Sequence, residues 1–217
     1  VFANLENPII EKCPSASSGF KFCADPKMID GLTFAGIDVV SIANNHSGNY
    51  GKDGLIQTEN FLRAAGIDYV GDANLVVKEV GGTKFGFLGF DYVDFGPKEM
   101  DFRLIFDSKQ KVDVLVVAVH WGLEYTGEQT KSEELIAKSL IDAGADVIYG
   151  THPHWVQTID HIDGKPIFYS LGNFIFDQMW SEETRKGLVM KLTYRDGKLI
   201  GEEKLPIYMQ NFAQPEW

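Results

Sequence analysis

Three apolar runs in this chain stop at histidine. The stretches "DVVSIANNH" (38–46), "VDVLVVAVH" (112–120) and "DVIYGTHPH" (146–154) each gather Val with Ile, Leu or Ala and then turn polar. A β-branched run as unbroken as "VLVVAV" keeps no polar face for water, so it reads as a strand covered on both sides. Strands of that kind belong to α/β folds, in which helices supply the covers. In open sheets of this class, ligands gather beyond the carboxyl ends of the strands. Four of the five histidines, His46, His120, His152 and His154, fall at such ends. Imidazoles arriving from separate strands are candidate metal ligands or catalytic groups. The fifth, His161 in "TIDHID", reads as an ordinary surface residue.

Local pattern refines this set. Pro153 disfavours the α conformation for His152, which predicts an extended segment with His152 and His154 pointing the same way. Glu6 in "ANLENP" also follows a short apolar strand, and reads either as a ligand or as a solvated strand-end carboxylate. Carboxylate, amide and imidazole donors suit Mn, Fe or Zn. The only cysteines, Cys13 and Cys23, are too few for a thiolate zinc site. They bracket a small, Ser-rich segment. Two readings fit: a disulfide-closed surface loop, or separate thiols in a reducing compartment.

The remaining pattern predicts alternating elements. Helices are expected over "DPKMIDGLTFAGI", with Asp25 as N-cap and Pro26 in the first turn, and over "SEELIAKSLIDAGA", with Ser132 as N-cap. A third, "KDGLIQTENFLRAAG", sets Leu55, Ile56, Phe61, Leu62 and Ala65 near one face and stops at Gly66. Residues 91–111 read as a loop with room for one helix. Gly81-Gly82, Asp163-Gly164 and Asp196-Gly197 mark hairpin turns, and the last third is mostly antiparallel strand. No repeat or linker interrupts the chain, so residues 1–217 read as a single domain. A net charge of -11, without Lys or Arg clustered among aromatics, argues against a nucleic-acid partner. No apolar run reaches the ~18 residues that a membrane helix needs.

Taken together, "NLENP", "DVVSIANNHSGNYGKDGL", "VHWGLEY", "GTHPHWVQ" and "YSLGNFIFD" resemble the bacterial CapA-like capsule-synthesis proteins. That family is linked to poly-γ-glutamate production and is similar to the calcineurin-like metallophosphoesterases. The resemblance implies an αββα sandwich, mixed sheets packed together with helices outside, and a dinuclear metal site. It implies that Glu6 stands for the bridging acidic ligand and that Asn45 is a metal ligand. His120, His152 and His154 would complete the shell, with His46 as the nearby acid or transition-state stabiliser. Glu124, Asn173 and Asp177 lie in family motifs with no chemistry assigned.

The superfamily pattern begins with an acidic ligand at the end of a first strand, usually in a Gly-Asp step. "VFANLENPI" opens mid-strand with nothing before Val1, so the expected domain is N-terminally incomplete. Two ions (Mn, Fe or Zn) are expected in the intact protein, and one in a chain lacking that ligand. The missing segment is where the family carries a membrane anchor or export signal, which implies the outer side of a bacterial cell. The implied reaction is metal-assisted hydrolysis of a phosphorylated small molecule. Two alternatives stand beside it: a non-catalytic polymer-binding or export component working with membrane subunits of capsule synthesis, and a metal-dependent amide hydrolase. In each, poly-γ-glutamate is the expected macromolecular partner.

Overall fold

The β-branched run at 114–120 lies at the centre of the structure, a computed structural model that describes residues 1–14, 20–71, 73–212 and 214–217. Six strands form the main sheet: β4 (Val76–Val80), β5 (Thr83–Asp91), β6 (Val114–His120), β7 (Val147–Thr151), β8 (Ile159–Ile162) and β9 (Lys165–Phe168). Their order is β4-β5-β6-β7-β9-β8, parallel from β5 through β9 and antiparallel at both edges. The second sheet is parallel and has three strands, β1 (Phe2–Asn4), β2 (Val39–Ser41) and β3 (Asp68–Val70). The last sheet is antiparallel: β10 (Lys186–Arg195), β11 (Lys198–Gln210) and β12 (Gln214–Glu216).

Alternation along the strands sorts residues between layers. Leu115, Val117 and Val119 face one way and pack with Leu88, Phe90, Ile148 and Ile167 against Ile105 of α3 (Glu99–Lys109) and Ala137, Leu140 and Ile141 of α4 (Lys131–Ala143). The opposite face meets the second sheet, where the Phe2 ring lies 5.0 Å from Phe87 and 5.6 Å from Tyr149. Outside that sheet, Leu62 of α2 (Gly51–Ala64) packs on Val40, Ile42 and Ile67, with Ile29 and Leu32 of α1 (Met28–Phe34) beside them. The chain is therefore an α/β sandwich with mixed sheets inside and helices outside.

The three two-residue turns are those that the Gly-Gly and Asp-Gly pairs predict. Gly81-Gly82, Asp163-Gly164 and Asp196-Gly197 all hold positive φ and join the pairs Val80↔Thr83, Ile162↔Lys165 and Arg195↔Lys198. Positive φ at both turn residues matches the twist of the flanking strands. Gly66 also stops α2 with φ 75°.

Helix starts depart from expectation. Asp25 caps only a preceding turn, through Lys27 N–H, and α1 begins at Met28. The N-cap of α4 is Thr130 rather than Ser132. Thr130 Oγ1 accepts from Glu133 N–H at 3.2 Å, and the Glu133 carboxylate accepts from Thr130 N–H at 2.7 Å. Both bonds form because Glu133 stands three residues after Thr130, whereas Leu135 holds that place for Ser132. Thr130→Ala should lower unfolding free energy by about 1 kcal/mol in a denaturant titration, with Ser132→Ala close to neutral.

Ile56, expected on the buried face of α2, is 42% exposed, and buried Gly54 and Thr58 take the inner positions instead. Thr58 is anchored there because its Oγ1 accepts from Ile9 N–H at 2.8 Å.

Candidate functional site

The carboxyl ends of β1, β2, β6 and β7 meet at one rim. Asn44 builds its first corner. The Asn44 amide nitrogen donates to the Leu5 carbonyl at 2.9 Å, while its oxygen accepts from His46 and Ser47 N–H at 3.1 and 2.9 Å. This side chain ties the loop after β2 to the loop after β1, which brings His46 to Glu6. His46 Nε2 lies 3.9 Å from Glu6 Oε1, and His154 Nε2 lies 3.7 Å from the same oxygen. Strand register supplies the second corner. His120 and Thr151 are paired across β6 and β7, and His120 Nδ1 meets Thr151 Oγ1 at 2.8 Å. His120 Nε2 meets Asn45 Oδ1 at 3.0 Å, joining the two sheets. The rings of His120 and His152 are 4.9 Å apart, and those of His152 and His154 are 6.3 Å apart. All six expected site residues thus gather here. His161 lies away from the rim, paired with Glu202 at 2.8 Å.

The expected extended conformation at "THPHW" is not what forms. His152 has φ 100° and His154 has φ 59°, both left-handed and costly for residues with a Cβ. The preference imposed by Pro153 is overridden by tertiary contacts that hold the two rings at the rim. Non-glycine residues in such conformations concentrate at functional sites.

Burial governs the electrostatics. Desolvation, with the Glu124 charge adding to it, pushes the Glu6 carboxyl up to about 8. Desolvation together with the neighbouring imidazoles pushes His152 down to about 4 and His120 well below its ordinary range. Burial also lowers His46 and His154. Near pH 7 Glu6 and the four histidines are then neutral groups rich in electron pairs.

Among the described residues, no three His, Cys, Asp or Glu side chains stand as a ready-made cage for a metal ion. Two of the expected ligands, Asn45 and His120, bond each other instead. The donor chemistry nonetheless fits a cation. Glu6 Oε1 and His152 Nδ1 are buried without a hydrogen-bond partner among the described residues, and buried polar atoms are rarely left so. Glu6, His152 and His154, with Asn45 and His120 once parted, are the residues that could hold one.

Aromatic rings collar the rim. Phe22 lies 4.3 Å from the His46 ring, Phe176 lies 5.1 Å from His154, and Tyr125 stacks on His154 at 5.6 Å. Trp180 packs edge-on against Tyr125 at 4.7 Å and is 60% exposed. Phe22 is held there by the Cys13–Cys23 disulfide, which settles the two readings of those cysteines. Residues 15–19 of that segment lie outside the described residues. Reduction should cost about 3 kcal/mol of stability, from the chain entropy of a loop this short, measurable by denaturation with and without reductant. Sequence reasoning missed Asn44, Thr151, Tyr125 and the collar, whose roles depend on contacts distant along the chain.

The fold is an α/β sandwich structurally related to phosphoesterase-like folds. A novel phosphatase from Mycoplasma pneumoniae superposes with a TM-score of 0.52 and 11% identity, over 84% of this chain and 88% of that one. Likeness at that identity bears on the fold alone. Residues 1–178 match the family described as bacterial capsule synthesis protein PGA_cap, and the chain belongs to that family. The chain is similar to the capsule biosynthesis protein CapA of Bacillus anthracis, with 30% identity over 97% of its length. It is also similar to the PGA biosynthesis protein CapA of Bacillus subtilis (strain 168), with 31% identity over 91% of its length. The chain spans 58% of the length of each of these relatives. No helix among the described residues is long and apolar enough to cross a membrane.

Proposed function

We propose that this chain serves capsule poly-γ-glutamate assembly as a polymer-handling component, engaging an anionic group of the polymer at the histidine rim through a divalent cation. The observation that carries this reading is Glu6 Oε1, buried without a hydrogen bond among the described residues and faced by His46 Nε2 at 3.9 Å and His154 Nε2 at 3.7 Å. A cation there would neutralise charge at the point of contact, which a chain of net charge -11 needs in order to approach a polyanion. Glu6, His152 and His154 would hold the ion, Mn, Fe or Zn by donor type, and the collar of Phe22, Tyr125, Phe176 and Trp180 would line the approach. Whether the intact protein takes two ions belongs to the same proposal. The disulfide supports an oxidising location such as the outer face of a bacterial cell, where membrane subunits of capsule synthesis would be its partners.

A second reading, metal-assisted phosphoester hydrolysis, is favoured by His46. This buried, neutral imidazole beside Glu6 would stabilise a leaving oxygen by donating a ring N–H to it. Amide hydrolysis at the same centre would use the same residues.

One experiment separates the readings. The chain, loaded with Mn²⁺ or Zn²⁺ or treated with chelator, is incubated with immobilised poly-γ-glutamate and, separately, with p-nitrophenyl phosphate. Cation-dependent retention that falls at least tenfold in His152→Ala/His154→Ala, without phosphate release, is the expected result. Cation-dependent phosphate release lost in His46→Ala would put hydrolysis first. Retention unchanged by chelator would overturn the cation-mediated reading.

A further inference from the structure

Asn173 follows Gly172 in the "SLGNF" motif and is buried beneath the rim. Its position is fixed by backbone. Gly172 and Gly187 form an isolated antiparallel bridge, and a Cβ on Gly187 would stand 2.0 Å from the Asn173 carbonyl oxygen. No side chain is compatible with that approach, so glycine at 187 lets β10 lie directly on Asn173.

The orientation of the Asn173 amide follows from its partners. Its Nδ2 donates to the Thr184 carbonyl at 3.0 Å and to Gln178 Oε1 at 3.2 Å. The Thr184 carbonyl is only an acceptor, so the reversed amide would press oxygen against oxygen in a buried setting. Thr184 is itself immobilised. It is fully buried in the short helix α5 (Glu182–Arg185), and its Oγ1 donates to the Gln178 carbonyl at 2.7 Å. With Nδ2 committed, Asn173 Oδ1 must face His154 Nδ1, which it meets at 2.9 Å. Oδ1 has no proton to give. The proton in that contact belongs to Nδ1, and the lone pair of the ring belongs to Nε2, the nitrogen 3.7 Å from Glu6 Oε1.

We infer that Asn173 is a positioning residue that locks His154 in its Nδ1–H tautomer and so presents the Nε2 lone pair to Glu6 and to whatever electrophile the rim takes. The use of that lone pair rests on the cation reading above; the tautomer itself does not. His120 differs, because Thr151 Oγ1 can donate or accept and the pair with Asn45 admits either assignment. The Gln178 side chain extends the relay outward. Its Nε2 contacts Tyr125 Oη at 3.2 Å, and Tyr125 stacks on the same His154 ring. One face of the ring and one of its nitrogens are thereby held by residues of one connected network, as supporting groups around ligating histidines usually are.

The test uses the chelator-treated chain, ¹⁵N-labelled, at a pH where His154 is neutral. Two-bond ¹⁵N–¹H correlation should show one His154 pattern, pyrrole-type at Nδ1 and pyridine-type at Nε2. Asn173→Leu removes the acceptor and should yield a mixture or the Nε2–H form. A wild-type Nε2–H pattern, or an unchanged pattern in Asn173→Leu, would overturn the inference. If Asn173→Leu does not fold, the wild-type pattern decides, with Gln178→Leu expected to retain Nδ1–H because Thr184 still orients the amide. Calorimetric titration of the same samples with Zn²⁺ keeps the two ideas apart. An Nδ1–H ring in a chain that takes no cation would sink the cation reading and leave the positioning role standing.

Discussion

Replacing Glu6 by Gln should stabilise the metal-free chain at alkaline pH. The folded carboxyl sits at about 8 against an ordinary 4.5, so between these values the native state holds a proton that the unfolded state has released. Stability therefore falls as pH rises through this window and levels off above it. The full penalty approaches about 5 kcal/mol, from 1.36 kcal/mol for each pKa unit. Glutamine keeps the shape and cannot ionise. The advantage of Glu6→Gln over wild type should grow by about 3 kcal/mol between pH 5.5 and pH 8.5, measured by denaturant titration in chelator. An advantage that is flat with pH would show that Glu6 is not the buried acid described. The same substitution should weaken cation uptake, since it removes the only carboxylate among the expected ligands. Stability gained with binding lost is the signature of a residue kept for function at the expense of the fold.

Gly150→Ala should have the opposite effect. Gly150 lies on β7 beneath the Trp121 indole, whose Nε1 donates to the Tyr169 carbonyl at 2.9 Å. A Cβ at 150 would stand 2.0 Å from that carbonyl oxygen and 2.6 Å from the indole nitrogen. Neither can yield, because Trp121 and Tyr169 are among the largest fully buried side chains and the carbonyl belongs to the residue directly after β9. Overpacking together with loss of a buried hydrogen bond should cost about 4 kcal/mol or more. Most of the variant should be insoluble, and any soluble fraction should melt well below wild type. A melting temperature within a few degrees of wild type would mean that the two strands part more easily than the packing indicates.

Sequence legibility followed the range of the interaction concerned. The strand at 114–120 and the Asp-Gly turns were readable because composition alone excludes other conformations there. The Thr130 cap is legible in the sequence too, since "TKSE" carries its own N3 glutamate and Ser132 has Leu135 in that place. The convergence of Glu6, Asn45, His46, His120, His152 and His154 was legible from strand ends and from the motifs of the resemblance. The positive φ of His152 and His154 was not, because the influence of proline on its predecessor is a local preference and tertiary contacts outweigh it. Nor was the role of Asn173, whose partners His154 and Thr184 lie 19 and 11 residues away. A buried amide looks the same in sequence whether it caps a turn or orients a ring.

Glu6, Asn45 and His46 hang from the three-stranded sheet, and His120, His152 and His154 from the six-stranded one. The rim is thus a seam between two layers, and whatever binds there is gripped from both. A ligand present at a hundred times its dissociation constant would add about 2.7 kcal/mol against any motion that parts the layers. Occupancy would then be felt along the whole seam, as slower hydrogen exchange in β1 and β2 as well as in β6 and β7, and a sliding of one sheet over the other would release the ligand without unfolding either.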